Sequence, residues 1–216
     1  MMKFEKGLTV LELLVITAII ACFILGFLPV LSRTRENARR VSCANNLKKI
    51  GRAAIAYSHD HDGYLFPTVD SLNPPTRRIR DFEAFPRGPE IGLGKLFKTE
   101  YLHNPAKMGC PSSNYARPSE VKLNWNSGGR RIDSAYFYRG QAGENSLNLG
   151  TAKPALVMDY NRSDAGLYNH KGEYVNVLFT DGIVKGASDR GLVMDGDITV
   201  EADRVFLAAD IMRKDD

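Results

Sequence analysis

Hydrophobicity is spread unevenly along the chain, and it changes period three times. From Leu13 to Leu31 there is no charge and almost no polar side chain, a run long enough to cross a bilayer as a helix. Glu12, at its start, is the one charge inside the apolar stretch. A carboxylate costs about 2.5–3.5 kcal/mol at the centre of an inserted helix and less near an end, so Glu12 needs interfacial water or a cationic partner. From Ser32 to Tyr57 the pattern becomes amphipathic. Val41, Ala44, Leu47, Ile50, Ala54 and Ile55 recur at three- and four-residue spacings, which predicts a helix packing one stripe on the remainder of the chain. Joined to the apolar run, this gives one nearly continuous helix from about Leu8 to about His59, roughly 75–80 Å long. Asp62-Gly63 and Pro67 stop it.

Beyond the helix the chain is first irregular and then alternates with a period of two. Residues 68–118 are rich in Pro, Gly and Arg and read as loops, with a short helix around Leu93 to Tyr101. Ser134 to Arg139, Ala155 to Tyr160 and Tyr174 to Thr180 read as strands, the second buried and ending in Asp159. Asp181-Gly182 signals a two-residue type I′ hairpin into Ile183–Lys185. Asp195-Gly196 signals another between Leu192–Met194 and Ile198–Val200. Val205, Ala208, Ala209 and Met212 predict a terminal helix over 201–213. The class is α+β: one long N-terminal helix, its first half transmembrane, packed on a C-terminal antiparallel sheet.

Composition narrows this. The 216 residues are 44% hydrophobic and 25% charged, a globular profile plus one membrane segment. No repeat period is present, and about 150 residues after the helix suffice for one core. The net charge of +4 is concentrated just past the apolar run, at Arg33, Arg35, Arg39, Arg40, Lys48, Lys49 and Arg52. A solvated or headgroup-facing helix accounts for these residues better than a nucleic-acid patch, because no aromatics are interleaved. Of the three cysteines, Cys22 is a small packing residue in the apolar run. Cys43 and Cys110 are either a disulfide or two free thiols, and without a CxxC pattern they do not spell a zinc site.

The stretch Lys6-Gly7-Leu8-Thr9-Val10-Leu11-Glu12-Leu13 resembles the processing site of type IV prepilins and type II secretion pseudopilins. The resemblance implies a leader, residues 1–7, cut between Gly7 and Leu8 by a prepilin peptidase, with methylation of the new amine at Leu8. Leu8 stands where the family usually has Phe. Cutting there would place a cationic amine one helical turn from Glu12, where it, or a neighbouring subunit's amine, could neutralise the carboxylate and set subunit register. Pro29, expected to bend the helix, matches a proline seen in type IV pilins. Cys43-Ala44-Asn45-Asn46-Leu47-Lys48 and Cys110-Pro111 are similar to a pilin-like subfamily and imply that Cys43 and Cys110 are coupled. The implied organisation is leader 1–7, transmembrane half-helix 8–31, amphipathic half-helix 32–62 and periplasmic head 63–216. Counting arginines would put the body in the cytoplasm, whereas the more specific processing motif puts it outside.

The same subfamily carries a His, nine residues, then Asp-Gly. Here ten residues separate His170 from Asp181-Gly182, and one extra residue in a strand reverses facing unless a loop near Gly172 absorbs it. Catalysis would need His170, activated by Asp159 or Asp181, beside a nucleophile, and the chain has no GxSxG, HExxH or phosphate-binding Gly loop. No enzyme is expected. The resemblance to major pseudopilins raises a calcium site, for which Asp181, Asp195, Asp197 and Glu201 offer oxygens; the His59-Asp60-His61-Asp62 run reads as a helix stop rather than a metal site. The function implied is a structural subunit that bundles through its helix into a pseudopilus or pilus. Its implied partners are the prepilin peptidase, other pilin or pseudopilin subunits, the inner-membrane assembly platform and the lipid bilayer, with nucleic acid not among them. The competing class is a membrane-tethered module whose head binds a ligand or surface.

Overall fold

The computed structural model describes residues 9–66, 76–80, 90–128, 131–140, 154–188 and 204–211, with the backbone alone described at 27–29 and 76–80. The chain forms two compact units that meet between Ala38 and Arg39, within helix α1 (Val10–His59).

In the first unit α1 presents apolar side chains on all sides from Leu13 to Gly26. Val10, Leu14, Ile19, Phe23 and Leu25 are all exposed, and among the described residues α1 is the helix long and apolar enough to cross a membrane. Its hydroxyls are satisfied locally: Thr17 Oγ1 donates to Leu14 O at 3.0 Å and Thr34 Oγ1 to Val30 O at 3.0 Å, which lowers the cost of placing them in hydrocarbon. The helical backbone runs on through Pro29.

Among the described residues the second unit is built on five antiparallel strands in meander order: β1 (Thr76–Arg80), β2 (Ile132–Tyr138), β3 (Ala155–Asp159), β4 (Tyr174–Phe179) and β5 (Val184–Ser188). Strand β1 was not expected, since TRRIR lies in the stretch read as loops. Among the described residues it is an edge strand, pairing with β2, and needs no apolar alternation. Short helices α2 (Lys95–Lys98) and α3 (Pro118–Asn126) precede β2. The first lies within the expected helix around Leu93; α3 was not foreseen. Pro118 opens α3, and Arg117 N–H donates to Glu120 Oε2 at 3.1 Å, a proline-plus-acid start readable from PSE.

Both faces of the sheet are covered. The α1 segment after Arg39 lies over one face, where Cys43, Leu47, Ile50 and Ala54 join Ala135, Tyr136, Tyr138, Val157 and Leu178 in one core. A terminal helix, α4 (204–211), supplies Val205, Phe206 and Ala209 to a second core with Phe137, Met158, Val175, Val177 and Phe179. Alternation along β4, and from Tyr136 to Tyr138 in β2, assigns neighbours to opposite cores. In β3, Leu156 and Val157 share the α1 face because the register shifts between Ala155 and Val157, the signature of a bulge.

The stripe on α1 is rotated from its expected setting. Cys43, Asn46, Leu47, Ile50, Ala53, Ala54 and Ser58 are buried, while Val41 is 60% and Ile55 37% exposed. Val41 lies two residues, about 200°, before Cys43 and so faces away from the sheet. The helix ends as its sequence requires. Asp62 (φ 53°) and Gly63 (φ 84°) turn left-handed, and Gly63 N–H donates to Ser58 O at 2.9 Å. His61 stacks on Tyr57, and Asp60 accepts a hydrogen bond from the Tyr101 hydroxyl, so these side chains are engaged in the cap.

Candidate functional site

The α1 face of the sheet carries a row of polar side chains inside the core. Strand pairing sets Tyr136 opposite Asp159 and Met158 opposite Val177, so the next position puts Asn176 beside Asp159. Asp159 is 1% and Asn176 2% exposed. A buried carboxylate is tolerable only when hydrogen-bonded. Asp159 Oδ2 accepts from Asn176 N–H at 2.7 Å and Asn176 Nδ2 at 2.8 Å, and Oδ1 accepts from Asn169 Nδ2 at 3.2 Å. Burial raises the Asp159 pKa, while the neighbouring His170 and these donors pull it back down.

His170 enters this row from the turn before β4. His170, Lys171 and Gly172 take φ of 48°, 61° and 75°, a left-handed run that turns the chain into β4. The imidazole is fully buried. Its Nε2 lies 3.6 Å from Asp159 Oδ2, 3.5 Å from Asn176 Nδ2 and 3.6 Å from Cys110 Sγ. Tyr174 packs edge-on against the ring, and the Arg40 guanidinium of α1 sits 4.4 Å above Tyr174.

Cys110 is joined to Cys43 by a disulfide, with Cα atoms 5.5 Å apart, so α1 is stapled to the segment ahead of α3. Asn46, one turn from Cys43, donates through Nδ2 to Gly109 O at 3.2 Å, and the Tyr136 hydroxyl reaches the same oxygen at 3.3 Å. Sequence reading left the two cysteines open between a disulfide and free thiols, with the resemblance coupling them, and missed that His170 and Asp159 adjoin them. Polar positions breaking the apolar alternation of ALVMD and YVNVLF were the available signal.

Asp181 and Gly182 sit elsewhere. They follow β4 whereas His170 precedes it, and six residues of strand, about 20 Å, lie between. The turn is a three-residue connection rather than the expected type I′. Gly182 N–H donates to Phe179 O at 2.9 Å, Phe179 N–H to Ile183 O at 2.9 Å, and Gly182 is left-handed at φ 83°. Asp181 Oδ1 accepts from Ile183 N–H at 3.2 Å, which serves the turn. Asp195, Asp197, Glu201 and the second expected hairpin lie outside the described residues, as do Gly7 and Leu8.

At the start of α1, Thr9 and Glu12 form a reciprocal cap: Glu12 Oε2 accepts from Thr9 N–H at 2.9 Å and Thr9 Oγ1 at 3.0 Å, and Thr9 Oγ1 accepts from Glu12 N–H at 3.3 Å. The T-x-x-E spacing spells this and was not read as a cap. The head also has an open cavity of about 510 Å³ near α2 and α3, lined by Glu90, Phe97, Lys98, His103 and Trp125.

Residues 32–78 match the model of a family described as a protein of unknown function (DUF1559). The match opens where the apolar run ends, includes Cys43 to Lys48, and reaches β1. No curated protein and no solved structure matches the chain.

Proposed function

We propose that the chain is a pilin-like structural subunit, held in a bilayer by the first half of α1 and assembled through that half into a pseudopilus or pilus-like filament. The observation that carries the reading is the exposed apolar surface on all sides of α1 from Val10 to Gly26, resumed at Val30 and Leu31 and opened by Thr9 and Glu12. Such a surface has two stable surroundings: lipid tails, and the same helix of other copies. Cleavage between Gly7 and Leu8 would convert the first surrounding into the second by supplying an amine for Glu12. The prepilin peptidase, other pilin or pseudopilin subunits and an inner-membrane assembly platform are the partners this reading requires. The disulfide supports a head folded in an oxidising compartment, consistent with the periplasm. The head is read as a coat element without catalytic activity.

The test is replacement of residues 13–31 by an unrelated single-pass span of equal length, in a host carrying the peptidase and platform. Loss of polymer with retention of the membrane-held head supports the reading. Unchanged polymer contradicts it, and a swapped head that alone abolishes function would favour the tethered binding module.

A further inference from the structure

Four donor-bearing side chains converge in the head: Cys43, Cys110, Asp159 and His170 each offer one ligand atom, and these atoms lie within 4.8 Å of one another. All four are buried, with exposures of 0%, 0%, 1% and 0%. They come from four separate places: α1, the segment before α3, the end of β3 and the turn before β4. Bringing them together by the fold costs four independent chain constraints, whereas a disulfide alone needs two residues.

We infer that, with the disulfide open, these four side chains form a tetrahedral zinc site. The donor set is two thiolates, one imidazole and one carboxylate, which is chemistry that Zn²⁺ favours. Tetrahedral coordination at about 2.0–2.3 Å separates ligand atoms by roughly 3.3–3.8 Å. His170 Nε2 already stands 3.6 Å from Cys110 Sγ and 3.6 Å from Asp159 Oδ2. The two sulfurs, bonded to each other in the closed form, have to separate, and the other ligand atoms start within 4.8 Å of one another. The outer shell is also built: Asn176 and Asn169 hold Asp159 from three sides, as carboxylate ligands are held in metal centres.

The proposal needs no reductant. Every chain is synthesised with thiols, and the open form is the one that precedes disulfide closure. Binding is then Zn²⁺ plus two cysteine thiols, one neutral imidazole and one carboxylate, giving the four-ligand centre and releasing two protons. Closing the disulfide by exchange with a disulfide oxidant, which takes up two electrons and two protons to become two thiols, releases the zinc and removes both thiolates, and with them the site. The same pocket therefore accepts a covalent bond or a metal, never both.

The experiment uses the full chain in detergent, reduced by a phosphine and kept anaerobic, with Zn²⁺ alone and with Co²⁺ as the spectroscopic probe. The expected result is one zinc per chain, two protons released per zinc, and a Co²⁺ spectrum with thiolate charge-transfer and strong tetrahedral d–d bands; the oxidised chain takes up none. Asn176→Ala, an outer-shell change, should weaken affinity by about 10–100-fold, and His170→Ala by more. Reduced protein that binds no stoichiometric zinc overturns the proposal, as does a weak octahedral Co²⁺ spectrum. Metal uptake unchanged in His170→Ala also overturns it, since two thiols alone would then be responsible. If His170→Ala does not fold, His170→Gln, which keeps a polar side chain of similar size, is read in its place by the same affinity and Co²⁺ bands.

Discussion

Glu12 and Thr9 close each other's hydrogen bonds at the first turn of α1, the carboxylate taking the Thr9 amide and hydroxyl and the hydroxyl taking the Glu12 amide. A carboxylate so placed serves two masters: the helix start, which needs an acceptor, and assembly, which needs a charge. Gln supplies the acceptor without the charge. Glu12→Gln should therefore keep the helix and its membrane insertion but lose filament assembly, while Glu12→Ala loses both assembly and the cap. Polymer yield beside protease protection of the membrane-held form separates the two. Normal assembly by Glu12→Gln would show that the carboxylate only caps.

The Cys43–Cys110 disulfide spans 67 residues of sequence. Closing a loop of that size restricts the unfolded chain by about 4 kcal/mol on the chain-entropy model. Replacing both cysteines by serine should lower head stability by about 2–4 kcal/mol in urea titration. A change below about 1 kcal/mol would mean that the α1–sheet core suffices.

Gly51 lets α1 approach the sheet closely. A Cβ there would stand 2.8 Å from Leu178 Cδ1, in the middle of the core. Gly51→Ala raises helix propensity but forces Leu178 off its place, so a net loss of about 1–2 kcal/mol is expected. A gain in thermal midpoint would show that Leu178 moves freely.

Alkali should unfold the head through its buried tyrosines. Burial pushes the Tyr138 and Tyr136 hydroxyls above the ordinary tyrosine range, with the Asp159 charge adding to the rise at Tyr136. A raised folded-state pKa leaves their stabilisation whole below the unfolded value of about 10 and removes it as pH rises from there towards the folded value. Each tyrosine contributes a slope of about 1.4 kcal/mol per pH unit in that window. Tyr138→Phe gives up the 2.8 Å hydrogen bond to Phe66 O, costing about 1 kcal/mol at neutral pH, and should flatten the alkaline slope by one such step. An unaltered slope would mean that Tyr138 ionises without unfolding.

The long helix, the three central strands and the terminal helix were legible because each rests on local periodicity. Asp159 and Asn176 were harder to place. In an antiparallel sheet a polar residue amid alternation normally faces water, but α1 and α4 cover both faces here and turn these positions inward. Strand β1 carries three arginines in five residues, so only its pairing with β2 reveals it. Val41 was misplaced because a stripe of small and branched residues fixes helix phase poorly, whereas Cys43 and Asn46 carry the contacts that set it. The meeting of His170 with Cys110 joins residues 60 apart through a left-handed turn, a contact no local pattern encodes.

The central claim is that α1 begins, in the mature protein, at a processed amine one turn from Glu12. Intact-mass and N-terminal fragment spectrometry of the chain from a host with a prepilin peptidase tests it directly. The account predicts a mature N-terminus at Leu8 bearing a methyl group, and no such product when Gly7 is replaced by a bulky residue. A retained Met1, or a terminus beyond Leu13, would contradict it.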